Sequence, residues 1–157
     1  MKRTFLTALT MLAFVSFNSH AQSIATKQAR SEAMTKAQKA LDSTDKVCGT
    51  KLTMEIDWAS FESKGFGGSQ KENSAVGYCE AILEGIRNIC SSFGADGKAS
   101  VQKSIKVAKC VFKDGVTTND FPKSGLKLSG GILTAYFDWK TSNVAVSTKD
   151  FLAANLK

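Results

Sequence analysis

Alternating apolar and polar residues predict four strands in this chain. In LTMEIDW, residues 52–58, every second residue is apolar, which is typical of a strand with one buried face. The segment SIKVAKCVF, residues 104–112, predicts a second strand. LKLSGGILTAYFDW, residues 126–139, predicts a hairpin that turns at residues 129–131. The alternation in its second limb places Trp139 on the apolar face.

A helical spacing of apolar residues predicts a long helix between the first two strands. Asn73 or Ser74 is suited to cap its start, and Gly94 with Gly97 is expected to end it near residue 93. One stripe of this amphipathic helix contains Ala75, Cys79, Ile82, Leu83, Ile86, Cys90 and Phe93.

Two further helices are predicted nearer the ends of the chain. Residues 26–46 are rich in alanine and lysine and have a thin apolar side. Such a helix docks weakly or waits for a partner, and docking on the surface is the commoner outcome. A short helix over residues 149–156 follows Ser147 or Thr148, either of which is a suitable N-cap. Residues 114–123 contain the only proline and are expected to form a loop.

The predicted order of elements is helix, strand, helix, three strands and helix. This order indicates an α+β fold with one mainly antiparallel sheet. The chain contains no repeat unit and no linker typical of a second domain. We therefore predict that residues 22–157 form a single disulfide-stabilised domain, since their number is ordinary for one domain.

The first residues, MKRTFLTALTMLAFVSFNSHAQS, have the features of a secretory signal peptide. Lys2 and Arg3 precede an apolar run that ends at Phe17, and residues 19–21, SHA, have the small-x-small form of a cleavage site. The run is shorter than the roughly 20 residues of a transmembrane helix. We therefore expect cleavage near Ala21 and a periplasmic or secreted protein without a transmembrane segment.

Four cysteines remain after this cleavage, and an even number in an exported chain predicts disulfides. A zinc site is the competing interpretation, but the sequence has no C-x-x-C pair and its only histidine, His20, belongs to the signal peptide. No metal and no cofactor are therefore predicted.

Helix geometry limits how the four cysteines pair. Cys79 and Cys90 share one face of the long helix but are roughly 16 Å apart along its axis. A disulfide needs Cα atoms within about 7 Å, so each of the two must bond a cysteine outside the helix. If the helix runs back along the first strand, Cys90 meets Cys48, and the second strand brings Cys110 to Cys79. We therefore predict Cys48–Cys90 and Cys79–Cys110.

The charge of the mature chain favours acidic partners only weakly. After cleavage the chain keeps all 14 acidic residues and 19 of its 21 basic ones, for a net charge of about +5. The lysines are scattered singly, without an accompanying run of aromatic residues and arginines. Nucleic acid is therefore not an expected partner, and oligomeric state is not indicated.

The sequence contains no motif that names a reaction. A nucleophilic cysteine or serine needs a nearby base, and the mature chain has no histidine. The similar segments MEIDW and YFDW place Asp57 and Asp138 on one side of the sheet, together with Glu55 and Tyr136. Paired carboxylates serve as acid and base in glycoside hydrolysis, although such residues more often form the solvated face of a strand.

The segment ESKGFGGSQKENS, residues 62–74, combines three glycines with one aromatic residue. It lacks the lysine of a phosphate-binding loop. Phe66 with Gly67 and Gly68 is the candidate binding element, and the alternative is a crossover whose Phe66 folds onto the core. We therefore expect an exported, non-enzymatic binding domain, such as an inhibitor or immunity protein for a periplasmic enzyme. The alternatives are a small carboxylate-dependent hydrolase and a structural component of the cell envelope.

Overall fold

The fold combines helices with one four-stranded sheet. A computed structural model of the protein describes residues 24–62 and 71–156, and the predicted signal peptide lies outside this part. The described elements, in chain order, are α1 (Ile24–Cys48), β1 (Thr53–Ile56), α2 (Trp58–Glu62), α3 (Lys71–Ser92), α4 (Gly94–Ser104), β2 (Val107–Phe112), β3 (Leu126–Ser129), β4 (Ile132–Phe137) and α5 (Val144–Asn155). A single wide turn of π-helix, Phe121–Gly125, precedes β3.

The sheet is mixed, so the prediction of a mainly antiparallel sheet is wrong. The strand order is β1-β2-β4-β3, and β1, β2 and β4 are parallel while β3 alone is antiparallel to its neighbour β4. The reason lies in the connections. The long α3 brings the chain back along β1, and α4 leads it into β2 in the direction of β1. The hairpin then inserts its second limb, β4, beside β2.

The turn of that hairpin was predicted correctly. Gly130 and Gly131 connect β3 to β4 with φ angles of 57° and 81°. Two consecutive positive φ values are the signature of the tight hairpin turn that matches strand twist, and glycine adopts them without steric cost.

The core lies between α3 and one face of the sheet. The inward residues of β2 and β4 are buried, as their alternation predicts. On α3 the predicted apolar stripe is buried from Ala75 to Cys90, whereas Phe93 is 53% exposed. Helices α1, α4 and α5 pack around α3. The docking expected for the N-terminal helix is confirmed, with Ala33 and Ala37 fully buried.

Several boundaries differ from the predicted ones. α3 ends at Ser92, but residues 94–104 form a further helix, α4, that was not predicted. Gly94, with φ of 56°, makes the turn between the two helices. The C-terminal helix begins at Val144, so Ser147 and Thr148 lie buried inside it and do not cap it.

Both predicted disulfides are confirmed. Cys48–Cys90 joins the end of α1 to the end of α3, with a Cα–Cα distance of 5.3 Å. Cys79–Cys110 joins the first half of α3 to β2 at 6.0 Å. All four cysteines are fully buried. Disulfides of this kind fit an oxidising compartment.

The second face of the sheet carries no helix from the described part of the chain. We call it the open face. It is formed by the side chains that point away from α3, namely Thr53, Glu55, Val107, Lys109, Val111, Ile132, Thr134, Tyr136, Lys127 and Ser129. Within residues 24–62 and 71–156, no helix is both long and apolar enough to cross a membrane.

Candidate functional site

The parallel strands β1, β2 and β4 end at one edge of the sheet. Asp57, Lys113 and Asp138 directly follow these three strands. Ligands of open α/β sheets bind at this edge, outside the carboxyl ends of the strands. Because α3 runs antiparallel to β1 and α5 follows β4, both helices also begin here. This edge is therefore the first candidate for a functional site.

Asp138 anchors the loop that follows β4. Its Oδ2 accepts a hydrogen bond from the backbone N–H of Gly115 at 2.8 Å, and its Oδ1 accepts one from that of Lys140 at 3.2 Å. The Asp138 N–H donates to the Thr141 hydroxyl at 3.0 Å, and that hydroxyl donates to the Val116 carbonyl at 2.6 Å. Asp138 and Thr141 are both buried. These bonds fix residues 138–141 against the loop that follows β2.

A second contact joins the same two loops. The Thr118 hydroxyl lies 3.0 Å from the Ser142 hydroxyl and accepts a hydrogen bond from the Ser142 N–H at 2.9 Å. The loop after β4 is therefore held at both of its ends before α5 begins.

Trp139 is the exposed residue of this fixed loop. It is 60% exposed, although the strand pattern places it on the buried face. That prediction is wrong because β4 ends at Phe137 and the chain turns at Asp138. The Lys140 ammonium lies 4.7 Å from the centroid of the indole ring, within the range of a cation–π contact. A large aromatic side chain is thus presented outward on a backbone with little freedom.

Tyr78 supports Trp139 from α3. Its hydroxyl donates to the Trp139 carbonyl at 2.6 Å, and its ring stacks on Phe137 with 4.5 Å between centroids. Burial raises the pKa of the Tyr78 hydroxyl above its ordinary value, and the negative charge of Asp138 raises it further. The hydroxyl therefore stays protonated and remains a donor at neutral pH.

A shallow groove lies beside Tyr78, between the first turns of α3 and α5. Gly77 forms part of its floor, and nothing lies within 4 Å of the place where a Cβ would stand. The groove is lined by Ser74, Gly77, Tyr78, Ala81, Thr141, Ser142, Asn143 and Val144. Hydroxyl groups and small apolar side chains predominate in this lining, so it suits a neutral segment of a partner.

The structure does not bring Asp57 and Asp138 together as a carboxylate pair. Asp57 Oδ1 accepts the Ser60 N–H at 3.3 Å and so begins α2, while both Asp138 oxygens accept backbone N–H groups. The strands that carry the two aspartates are separated by β2. Glu55 lies beside Lys109, at 3.8 Å. Each of these carboxylates has a structural partner.

The remaining candidates are the loop at Phe66 and a metal site. Phe66, Gly67 and Gly68 lie outside the described residues, and their role in binding stays a prediction. Within the described residues, no group of three or more histidine, cysteine, aspartate or glutamate side chains is arranged to hold a metal ion.

Comparison with protein-family models, with curated proteins and with solved structures finds no match to this chain. Sequence reasoning missed Trp139 because YFDW continues the strand pattern up to the tryptophan. The polar residues that follow, KTSN, are typical of turns and were the available signal that β4 ends early.

Proposed function

We propose that the protein is an exported, non-enzymatic binding domain that recognises an envelope or secreted protein, as an inhibitor or immunity protein does. The observation that carries this proposal is the exposed Trp139 on a loop fixed by hydrogen bonds. Tryptophan is enriched among the few residues that dominate binding energy at protein interfaces. A fixed loop lowers the entropy lost on association.

Two features support the surroundings of Trp139 as an interface. Asp138 and Thr141 fix the loop by hydrogen bonds within the protein, so the loop does not need a partner to be ordered. The groove lies beside the same loop, because Tyr78 lines it and donates to the Trp139 carbonyl. Together they form a protruding aromatic group next to a shallow recess.

The chemistry of the partner follows from charge. Lys140 lies over the indole ring, and the mature chain has a net charge of about +5. We therefore expect a partner that offers an apolar pocket for Trp139 with a carboxylate at its rim. Complementary charge of this kind speeds association and selects among partners.

Export is part of the same proposal. The two buried disulfides fit an oxidising compartment, and the N-terminal sequence has the form of a secretory signal. A binding domain in the cell envelope would meet exported enzymes there.

The test is capture of a partner by paired variants. Mature wild-type protein, Trp139→Ala and Phe93→Ala are immobilised separately and exposed to envelope extract, and bound proteins are identified by mass spectrometry. Phe93 is the matched control, because it is also an exposed aromatic residue, 53% exposed, but lies at the far end of α3.

We expect a protein that wild type and Phe93→Ala retain and Trp139→Ala loses. With that partner purified, Trp139→Ala should weaken binding by about thirtyfold or more, while melting temperatures stay close to wild type. A partner bound equally by wild type and Trp139→Ala would contradict this site.

A further inference from the structure

The open face is unusual for strands arranged in parallel. Parallel sheets are normally covered on both faces, yet here β1, β2 and β4 are parallel and the described helices cover one face only. Val107, Val111 and Tyr136 on this face are half-buried, and Ile132 is 38% exposed. Two apolar patches, Val107 with Ile132 and Val111 with Tyr136, therefore lie on the two central strands, on either side of Lys109 and Thr134.

The strand register arranges the open face in three rows across the sheet. The first row is Thr53, Val107, Ile132 and Ser129. The second row is Glu55, Lys109, Thr134 and Lys127. In the third, Val111 is level with Tyr136. The acidic groups of the face, Glu55 and Asp57, therefore lie on the side of edge strand β1, Lys109 lies beside Glu55 on β2 at 3.8 Å, and Lys127 lies on edge strand β3.

We infer that this face binds the same face of a second copy of the chain, forming a symmetric dimer. A two-fold axis parallel to the strands exchanges β1 with β3 and β2 with β4 between copies, as in an isologous interface. Glu55 then faces Lys127 of the second copy. The inference concerns a different surface from the Trp139 loop and does not depend on the function proposed for that loop.

The same two-fold rotation also brings the other residues of the open face opposite residues of similar polarity in the second copy. Val107 faces Ile132 of the second copy, and Val111 faces Tyr136. Thr53 meets Ser129 and Lys109 meets Thr134, so polar groups face polar groups throughout. Stacked sheets deviate by about 30° from full alignment, which shifts the corner pair of Thr53 with Ser129 more than the central-row pair of Glu55 with Lys127.

A symmetric arrangement with the axis across the strands is unfavourable. A two-fold axis perpendicular to the strands, in the plane between the sheets, places each strand opposite the same strand of the second copy. Glu55 would then lie on Glu55 and Lys127 on Lys127. Like charges opposed in this way are repulsive, so the distribution of charge selects the axis parallel to the strands.

The size of the face determines the strength of the dimer. Four strands at about 4.8 Å spacing and three rows of side chains give a footprint of about 400 Å² per copy. Stable interfaces bury about 1,200–2,000 Å² in total. We therefore expect a weak dimer, with a dissociation constant between about 10 µM and 1 mM.

Charge reversal tests the pairing of Glu55 with Lys127. Sedimentation equilibrium over rising concentrations should show a monomer–dimer equilibrium for the oxidised wild-type protein. Glu55→Lys and Lys127→Glu should each weaken dimerisation by about tenfold or more, since the two-fold axis repeats each change. The double variant, which exchanges the two charges, should dimerise more strongly than either single variant, although Glu55→Lys also places a second positive charge beside Lys109.

Lys98→Glu is the matched control, because Lys98 is an exposed lysine on α4 and the net charge changes by the same amount. It should dimerise like wild type. A wild-type protein that remains monomeric up to about 1 mM would overturn the inference. A dimer that neither single reversal weakens, or a double variant that dimerises no better than the single variants, would also overturn it.

Discussion

Gly85 of α3 lies against Thr148 of α5 so closely that a Cβ at position 85 would stand 2.6 Å from the Thr148 Cβ. It would also stand 2.7 Å from the carbonyl oxygen of Ala145. No real Cβ tolerates such a distance to backbone, so glycine is what permits the two helices to approach. The packing of α5 along α3 depends on this contact.

Gly85→Ala should therefore destabilise the protein, although alanine is the better helix former. Overpacking of this kind costs about 1–3 kcal/mol. Gly77→Ala in the same helix is the control, because nothing lies within 4 Å of its Cβ position, and it should stabilise by up to about 1 kcal/mol. Urea unfolding measures both variants. Equal effects of the same sign would contradict the close approach of α3 and α5.

Removing either disulfide should cost about 2–5 kcal/mol of unfolding free energy. The two bridges close segments with sequence separations of 42 and 31 residues, and the entropy of the unfolded chain rises when such loops open. Cys48→Ala with Cys90→Ala, and Cys79→Ala with Cys110→Ala, are compared by urea unfolding under oxidising conditions. A pair that leaves stability unchanged would mean that its bridge does not form in solution.

Asp138→Ala should destabilise the protein more than Asp57→Ala. The first change leaves the N–H groups of Gly115 and Lys140 without their acceptor, at a cost of about 3 kcal/mol. The second removes one bond at the start of a short helix, at a cost of about 1 kcal/mol. Melting curves give the comparison. Two stable variants that both lost a hydrolytic activity would instead support the carboxylate-dependent hydrolase.

The hydrogen bond from Tyr78 to Trp139 should make stability depend on pH in the alkaline range. Below the ordinary tyrosine pKa of about 10, the hydroxyl is protonated in both folded and unfolded chains, and the bond contributes in full. Because the folded-state pKa is raised, the unfolded chain loses its proton first as pH rises. The free energy of unfolding therefore falls as pH rises from the unfolded to the folded pKa.

Tyr78→Phe isolates this contribution from the titration of lysines. At pH 8 the variant should be less stable than wild type by about 0.5–1.5 kcal/mol. Above about pH 10 the difference should shrink, because the phenolate cannot donate. Urea unfolding of both proteins across this range provides the measurement. A difference that stays constant with pH would show that the Tyr78 hydroxyl is not the group responsible.

Export should yield a protein that begins at Gln22. Ser19 and Ala21 provide the small residues that precede cleavage, and Ala21→Lys should block processing because a long charged side chain replaces a small one. N-terminal sequencing of the periplasmic or secreted fraction measures both. Wild-type protein that still begins at Met1 would refute the prediction.

The spacing of apolar residues predicted much of this fold, because buried residues recur at every second position in a strand and at every third or fourth position in a helix. The stripe on α3 was recovered up to Cys90. The axial distance between Cys79 and Cys90 excluded a bond between them, and the return of the helix along the first strand decided between the two remaining pairings. Strand direction was not recovered, since it depends on how the intervening helices return the chain. α4 was missed because Gly94 and Gly97 signal termination. Gly94 does end α3, but Gly97 lies within α4, where a Cβ would stand 2.6 Å from the Ile89 carbonyl oxygen.

The candidate site was the least predictable part, for a related reason. Asp57 and Asp138 occupy similar segments of sequence, but their roles differ because Asp138 faces the loop after β2, which lies more than 20 residues away in the chain. Only the folded arrangement shows that its oxygens accept the N–H groups of Gly115 and Lys140. Trp139 becomes an exposed residue as a result.

The two disulfides overlap in sequence, in the order Cys48, Cys79, Cys90, Cys110, and this order makes the chain resistant to a single cut. Cleavage of any one peptide bond between Cys48 and Cys110 leaves at least one bridge that joins the two fragments. The connection between α2 and α3 falls inside this interval. In a compartment that contains proteases, a nicked molecule would therefore remain one covalent unit, and it would separate into fragments only after reduction.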